Sequence, residues 1–311
     1  MFKFNLLIDS HIDINCKQNV IKDIVCDFEN WPKFSPWMRL DKDAKIKQGS
    51  ITCAIGSKMS WVGKYIGTGS AELVTKEDEC MCFELEFIKP FKSKAKTFFV
   101  FERIDDNTTR VYWRMLLSLP LYMFFFKKSF KNMLSCDYKR GLKMLKSLAE
   151  TKKVESDIVE IGISSLPDSD YLGIKVEKCH FDDLPSVMAR NFEKLNFLAG
   201  ETNTKNAKIF SIYHEMDIKN MMFSFSTAIS FENCHNIISD SEIYNGKIEV
   251  SKLYRVRHTG EWNLLGNAWK FGMMRCFGKN AEYKYDKPKP SYEVYESIEN
   301  PKVTDVCISI K

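Results

Sequence analysis

The residue of this chain best placed to do chemistry is Glu293. It lies in Ser291-Tyr292-Glu293-Val294-Tyr295, a stretch of aromatic and β-branched residues that follows Pro288 and Pro290 and reads as a strand. Strand alternation puts Ser291, Glu293 and Tyr295 on one face and Tyr292 and Val294 on the other. A carboxylate in the middle of such a strand has two readings. On a sheet edge it stands in water. Buried, it needs a hydrogen-bond partner, a cation or a proton, and a desolvated carboxylate has a raised pKa that suits general acid or base work near neutral pH.

The other reactive types form no constellation. There is no Gly-x-Ser-x-Gly elbow, no phosphate-cradling glycine loop and no His-Glu-x-x-His pair. The 10 cysteines are scattered, and only Cys80 and Cys82 lie close together. None of the 5 histidines completes a metal set with them, so reduced, packed thiols and no metal or other cofactor are expected. His180 and His258 stand next to probable helix starts and read as capping or surface residues.

A chain of 311 residues is long for one core and natural for two domains. Apolar residues make up 44% and charged residues 28%, an ordinary globular composition. The longest largely apolar run, Met115 to Phe126, is broken by Pro120 and too short to span a bilayer. No basic stretch followed by a long apolar one opens the chain, so a cytoplasmic protein without membrane association is expected. The net charge of +5 is uneven: residues 1–150 carry 25 Lys/Arg against 18 Asp/Glu, a balance of +7. The excess sits in runs such as Lys89, Lys92, Lys94 and Lys96, and Lys127, Lys128 and Lys131. An anionic partner suits these runs, but so do a solvated hairpin edge and a solvated helix face. No DNA- or RNA-binding signature accompanies them, and no nucleic-acid partner is expected.

In chain order, residues 6–15 alternate as a strand and residues 17–28 show helical spacing. A proline-punctuated aromatic segment, Trp31-Pro32 to Pro36-Trp37, comes next. Strands are expected at 50–55, 58–66, 70–75, 81–88, 97–104 and 110–118, and then a long helix over 127–150. One strand, two short helices, an antiparallel run and a terminal helix make an α+β helix-grip layout with a cavity between helix and sheet. Trp31-Pro32 with Pro36-Trp37, Gly56-Ser-Lys-Met-Ser-Trp61, and Gly141-Leu-Lys-Met-Leu-Lys146 resemble the polyketide-cyclase-like branch of the START-type (SRPBCC) superfamily. The resemblance covers residues 1–150 and implies an apolar ligand, without a shared catalytic motif. Trp61, Tyr65, Phe83, Phe99 and Trp113 are the candidates to line its cavity, against the ordinary reading of such rings as plain core.

Residues 151–170 are polar, end in Ser164-Ser-Leu-Pro-Asp-Ser-Asp170, and are expected to link the domains. A short strand at 158–163 is compatible with this. From Tyr171 a strand–helix–strand–strand pattern occurs twice, at 172–179, 183–199, 208–214 and 221–230, then at 248–257, 261–277, 292–296 and 303–310. His180 to Asp183 and His258 to Glu261 are expected to be equivalent, at an offset of 78. Two such units give a pseudo-twofold sheet with both helices packed on it and a cleft on the axis.

Tyr254-Arg-Val-Arg-His-Thr-Gly260, the Trp262-bearing helix, Tyr292-Glu-Val-Tyr295 and the closing Thr304 to Ile310 resemble the GyrI-like (effector-binding) family, over 171–311. That resemblance implies a central aromatic pocket in which Glu293 pairs with cationic planar compounds. Tyr254, Trp262, Trp269, Tyr295, Tyr213 and Phe225 are its expected lining. Trp262 stands where that family usually has a tyrosine, so the pocket is expected to be differently shaped. The leading expectation is a protein with two ligand-binding domains taking hydrophobic or cationic aromatic small molecules. The alternative is a hydrolase of reactive, cyclopropane-bearing molecules with Glu293 as general acid/base. A transcription regulator is disfavoured because the first half reads as START-like and not as a DNA-binding module.

Overall fold

The computed structural model describes residues 3–90, 92–205, 207–236, 242–278 and 281–311. It divides into two compact units, Met1–Glu155 and Ser156–Lys311. Each is α+β and built on one antiparallel sheet.

The first unit runs β1 (Lys3–Ile14), α1 (Gln18–Cys26), α2 (Trp31–Phe34), β2 (Lys45–Gln48), β3 (Lys58–Gly63), β4 (Gly67–Lys76), β5 (Cys80–Lys89), β6 (Ser93–Arg103), β7 (Thr109–Pro120) and α3 (Lys127–Thr151). The sheet order is β1-β7-β6-β5-β4-β3-β2, a meander closed by the first strand. Alternation decides the faces: Leu6, Ile8 and Ile14 point inward from β1, while Leu7 points out. α3 presents Leu134, Tyr138, Gly141, Leu145 and Leu148 to that inner face. A Cβ on Gly141 would lie 2.4 Å from a ring carbon of Trp113, so only glycine allows this approach of helix and sheet. The helix-grip layout is thus present, with the long helix on its own sheet.

One strand differs from expectation. Residues 50–55 form no strand, and the edge position is taken by Lys45–Gln48. The cause is local: Cys53 and Gly56 both have positive φ, and the Ser57 hydroxyl is bonded to the backbone of Ala54, which makes a turn of this segment. The same turn brings Cys53 to Cys26 at the end of α1, and the two are joined as a disulfide with a Cα–Cα distance of 4.7 Å. This corrects the expectation of wholly reduced thiols; the remaining eight cysteines are free.

The second unit comprises β8 (Ser156–Ser164), β9 (Ser169–His180), α4 (Leu184–Thr204), β10 (Lys208–Asp217), β11 (Met222–Ser230), β12 (Ile243–Ile248), β13 (Leu253–Gly260), α5 (Gly266–Cys276), β14 (Ser291–Ser297) and β15 (Val303–Ser309). Of the stretch 151–170 expected as a linker, Ser156–Ser164 is thus an edge strand paired with β13. α4 is interrupted at Gly200, whose φ is +73°.

The strand order is β12-β9-β11-β10-β14-β15-β13-β8. Read from either end it has the same pattern, so β10 corresponds to β14, β11 to β15 and β9 to β13. The pseudo-twofold axis falls between β10 and β14. Short 3₁₀ turns precede the helices, at Phe181–Asp183 before α4 and Trp262–Leu264 before α5. The helix equivalence is therefore Phe181 with Trp262, and not His180 with His258. The two histidines differ as well. His180 caps its turn, accepting from the Asp182 N–H at 3.3 Å, as expected. His258 is fully buried and lies 2.9 Å from the Ser156 hydroxyl, which also accepts from Asn267 at 2.9 Å, so the capping reading fails there.

Candidate functional site

β14 is one of the two central strands of its sheet, so Glu293 is not on an edge. Tyr292 and Val294 enter the apolar layer on one face with Phe210, Ile212 and Cys307. Glu293 points to the other face, toward Trp269 of α5, and is 4% exposed. Its direct neighbour on β10 is Ser211 and on β15 Val306.

Three neutral aromatic donors hold the carboxylate. The Trp269 indole N–H donates to Oε1 at 2.6 Å, the Tyr213 hydroxyl donates to Oε1 at 3.1 Å, and the Tyr295 hydroxyl donates to Oε2 at 2.7 Å. The pairing register makes this an axial arrangement. Tyr213 and Tyr295 lie two residues beyond Ser211 and Glu293 on corresponding strands, so one carboxylate sits between two pseudo-equivalent tyrosines. Met188 and Trp269 are equivalent on the helices. The first lies 3.8 Å from the Ser211 hydroxyl and the second reaches Glu293. Symmetry is broken at the pair that matters: serine on one side of the axis, glutamate on the other.

Around this core most of the rings meet edge to face. Tyr213 packs on Trp269 with centroids 5.1 Å apart, and Phe225 stands 6.3 Å from Tyr213. Phe192 of α4 and Trp262 each place an edge against Tyr295, at 5.6 and 5.8 Å. Trp262 is 42% exposed and donates its indole N–H to Thr304 at 3.2 Å, with Lys302 over its ring at 4.9 Å. Tyr295, Trp269 and Phe192 are half-buried. The rings therefore run from solvent at Trp262, through Tyr295, down to the carboxylate.

Burial dominates the electrostatics. Desolvation raises the pKa of Glu293, and the three donated hydrogen bonds offset only part of that. No cationic side chain is among its partners in the described residues. The hydroxyls of Tyr213 and Tyr295 are held well above their usual pKa by burial and by the carboxylate beside them, so both stay protonated donors. Asp305, on the next strand, is handled differently. It is fully buried and bonded by Arg255 at 2.6 Å and by Arg257 at 2.8 Å.

Of the residues expected from sequence, the structure brings Tyr213, Trp269, Tyr295, Phe225 and Trp262 together around Glu293. It does not bring Tyr254. That ring is buried against Tyr283, with centroids 4.7 Å apart, and its pKa is raised by burial and by Glu160 next to it. Sequence reasoning missed Ser211, Phe192 and Met188. Ser211 was legible, since period-two alternation puts it on the face of Tyr213. A separate cleft of about 280 Å³, lined by Tyr171, Ile212, Ile248 and Tyr292, opens on the opposite face of the sheet and does not include Glu293.

In the first unit the five candidates split. Phe83, Phe99 and Trp113 belong to one cluster with Trp31, Phe34 and Tyr138, in which Phe99 stacks on Trp113 at 4.7 Å and Trp113 contacts Tyr138 at 4.5 Å. The Trp113 indole donates to Thr97 at 2.8 Å. These rings meet one another where a cavity lining was expected. Trp61 is buried against Phe87 at the other end of the sheet, and Tyr65 lies in the β3–β4 turn under Lys64.

No family model and no curated protein matches this chain. Solved structures do. An integron cassette protein from the mobile metagenome of Vibrio cholerae is 17% identical, covering 50% of this chain and 99% of its own, with a TM-score of 0.38. The EcmrR C-terminal domain is 16% identical, covering 50% of this chain and 98% of its own, with a TM-score of 0.38. Norcoclaurine synthase from Thalictrum flavum, in complex with dopamine and hydroxybenzaldehyde, is 7% identical, covering 47% and 87%, with a TM-score of 0.36. Likeness at these scores carries no functional weight, so function has to be read from the site itself.

Proposed function

We propose that the second unit is a small-molecule-binding domain whose recognition element is Glu293 in its aromatic cage, and that its ligands are planar, apolar and cationic. One observation carries this: a buried carboxylate on the pseudo-twofold axis, bonded among the described residues only to neutral tyrosine and tryptophan donors. An unpaired charge in such a place is unfavourable. A ligand cation would supply the missing countercharge and gain cation–π contact with the surrounding rings. Phe192 from α4 and Trp262 from the turn before α5 both lean on Tyr295 and are the outermost rings of the cage.

Titration of ethidium, a planar aromatic cation, and of its neutral relative phenanthridine tests the reading. Glu293→Gln keeps the shape and removes the charge, and is expected to weaken ethidium by about 1–3 kcal/mol while leaving phenanthridine nearly unchanged. Equal weakening of both, or no binding of ethidium by the parent protein, overturns it. The raised pKa of Glu293 also suits the alternative, a hydrolase with this carboxylate as general acid or base. There, Glu293→Gln is expected to abolish turnover of a reactive substrate while binding survives.

A further inference from the structure

The first unit carries a surface that the ligand-binding reading does not use. Between Pro120 and the start of α3, the 3₁₀ turn Leu121–Phe126 has the sequence Leu-Tyr-Met-Phe-Phe-Phe and buries none of its residues. Phe125 is 86% exposed, Phe126 66% and Tyr122 62%, and Leu121 and Phe124 are also more than half exposed. Monomeric proteins rarely hold contiguous bulky apolar side chains in water without a use for them.

Charge surrounds this turn with one sign. Lys127, Lys128 and Lys131 follow it directly and are exposed, and the Lys127 ammonium lies 5.8 Å from the Phe124 ring centre. No aspartate or glutamate occurs between Asp106 and Asp137. The strand register adds cations from elsewhere in the sequence. Pro120 pairs with Lys3, Ala95 with Leu117, Phe87 with Ser93, Thr68 with Lys89, and Gly63 with Gly67. The turn, the β5–β6 connection and the β3–β4 connection therefore lie at the same end of the sheet. That end also presents Lys64, Lys89 and Lys92, all exposed.

The structure assigns this end of the first unit to an anionic lipid surface, with Tyr122, Phe125 and Phe126 entering the headgroup–acyl boundary and the lysines meeting lipid phosphates. Aromatic rings favour that boundary, and clustered lysines favour anionic leaflets. A second copy of the chain would set lysines against lysines, which like-charge repulsion opposes. A nucleic acid would satisfy the lysines but leave no apolar phase for a run of three phenylalanines. The contact is peripheral: no helix among the described residues is long and apolar enough to cross a membrane. It revises the expectation of no membrane association and is independent of the Glu293 reading.

Co-sedimentation of the full chain with phosphatidylcholine vesicles, with and without about 30 mol % phosphatidylglycerol, tests it. The expected result is binding to the anionic vesicles only, falling steeply as salt rises from about 0.1 to about 0.5 M. Phe125→Ser with Phe126→Ser is expected to lower the partition coefficient about tenfold or more, and Lys127→Ser with Lys128→Ser several-fold. Unchanged thermal melting would show that the variants fold. Failure of the parent chain to bind anionic vesicles overturns the inference, as does equal binding by the phenylalanine variant. So does a monomer–dimer shift abolished by that variant without vesicle binding, or binding to a DNA duplex in place of vesicles.

Discussion

Beneath α3 the indole of Trp113 gives its N–H to the hydroxyl of Thr97; beneath α5 the indole of Trp269 gives its N–H to the carboxylate of Glu293. Both sheets carry a cluster of rings under a helix. In the first unit the polar side chains of the cluster have partners of their own. Thr97 accepts from Trp113, its hydroxyl donates to the Arg114 carbonyl, and the buried Asp137 has Arg140 at 2.8 Å and the Trp37 indole at 3.1 Å. In the second unit the rings converge on a carboxylate that has no cationic partner among the described residues. Aromatic density is common to both clusters; a buried carboxylate among neutral donors distinguishes the second.

The sharpest way to break this contrast is to remove a ring from each cluster's centre. Trp113→Ala is expected to destabilise the first unit by about 3–5 kcal/mol, because Phe99, Tyr138 and the space beside Gly141 cannot collapse onto so large a void. Chemical denaturation measures it, and a loss under about 1 kcal/mol would show that the cluster is not a packed core.

The second prediction uses the charge itself. The ordinary glutamate pKa is 4.5 and burial raises it in the folded state. Between those two values the folded protein binds more protons than the unfolded one, so the carboxylate costs stability progressively as pH rises through that window, and the cost stays constant above it. Glu293→Gln is therefore expected to be more stable than the parent at pH 8, with the gain shrinking toward pH 4 as the parent's carboxylate takes up its proton. Urea melts of both proteins across this range check it. A pH-independent difference would mean that Glu293 does not titrate in the window.

The smallest effect is expected from Tyr295→Phe, which takes from Oε2 its tyrosine donor at a cost of about 1 kcal/mol. Carbon-detected NMR titration of the Glu293 carboxyl should show its midpoint moving further up, since a bond that favours the ionised form is gone. A downward shift would mean that Tyr295 is not acting as donor.

Much of the architecture follows from local pattern. Alternation in Leu6–Ile14, the Lys127–Glu150 stripe and the twofold strand–helix–strand–strand recurrence each depend on residues within a few positions of one another, and all three are present. Local chemistry also misled in places. Residues 50–55 look extended but are turned by the positive φ of Cys53 and Gly56, and the partner of Cys53 at Cys26 lies beyond any local signal. His180 and His258 look alike in sequence, yet one caps a turn and the other is buried under α5.

The site shows the same division. That Glu293 shares a face with Tyr295 and sits among residues that pack follows from the amino-acid order alone, because strand geometry has a period of two. Long-range pairing is what makes β14 central, brings Ser211 of β10 opposite Glu293 and Tyr213 to its side, and has α5 deliver Trp269 while Tyr254 is left with Tyr283. Those choices depend on strand order and on a register set by distant pairings, and a single residue's shift in register would turn every side chain of a strand to the other face.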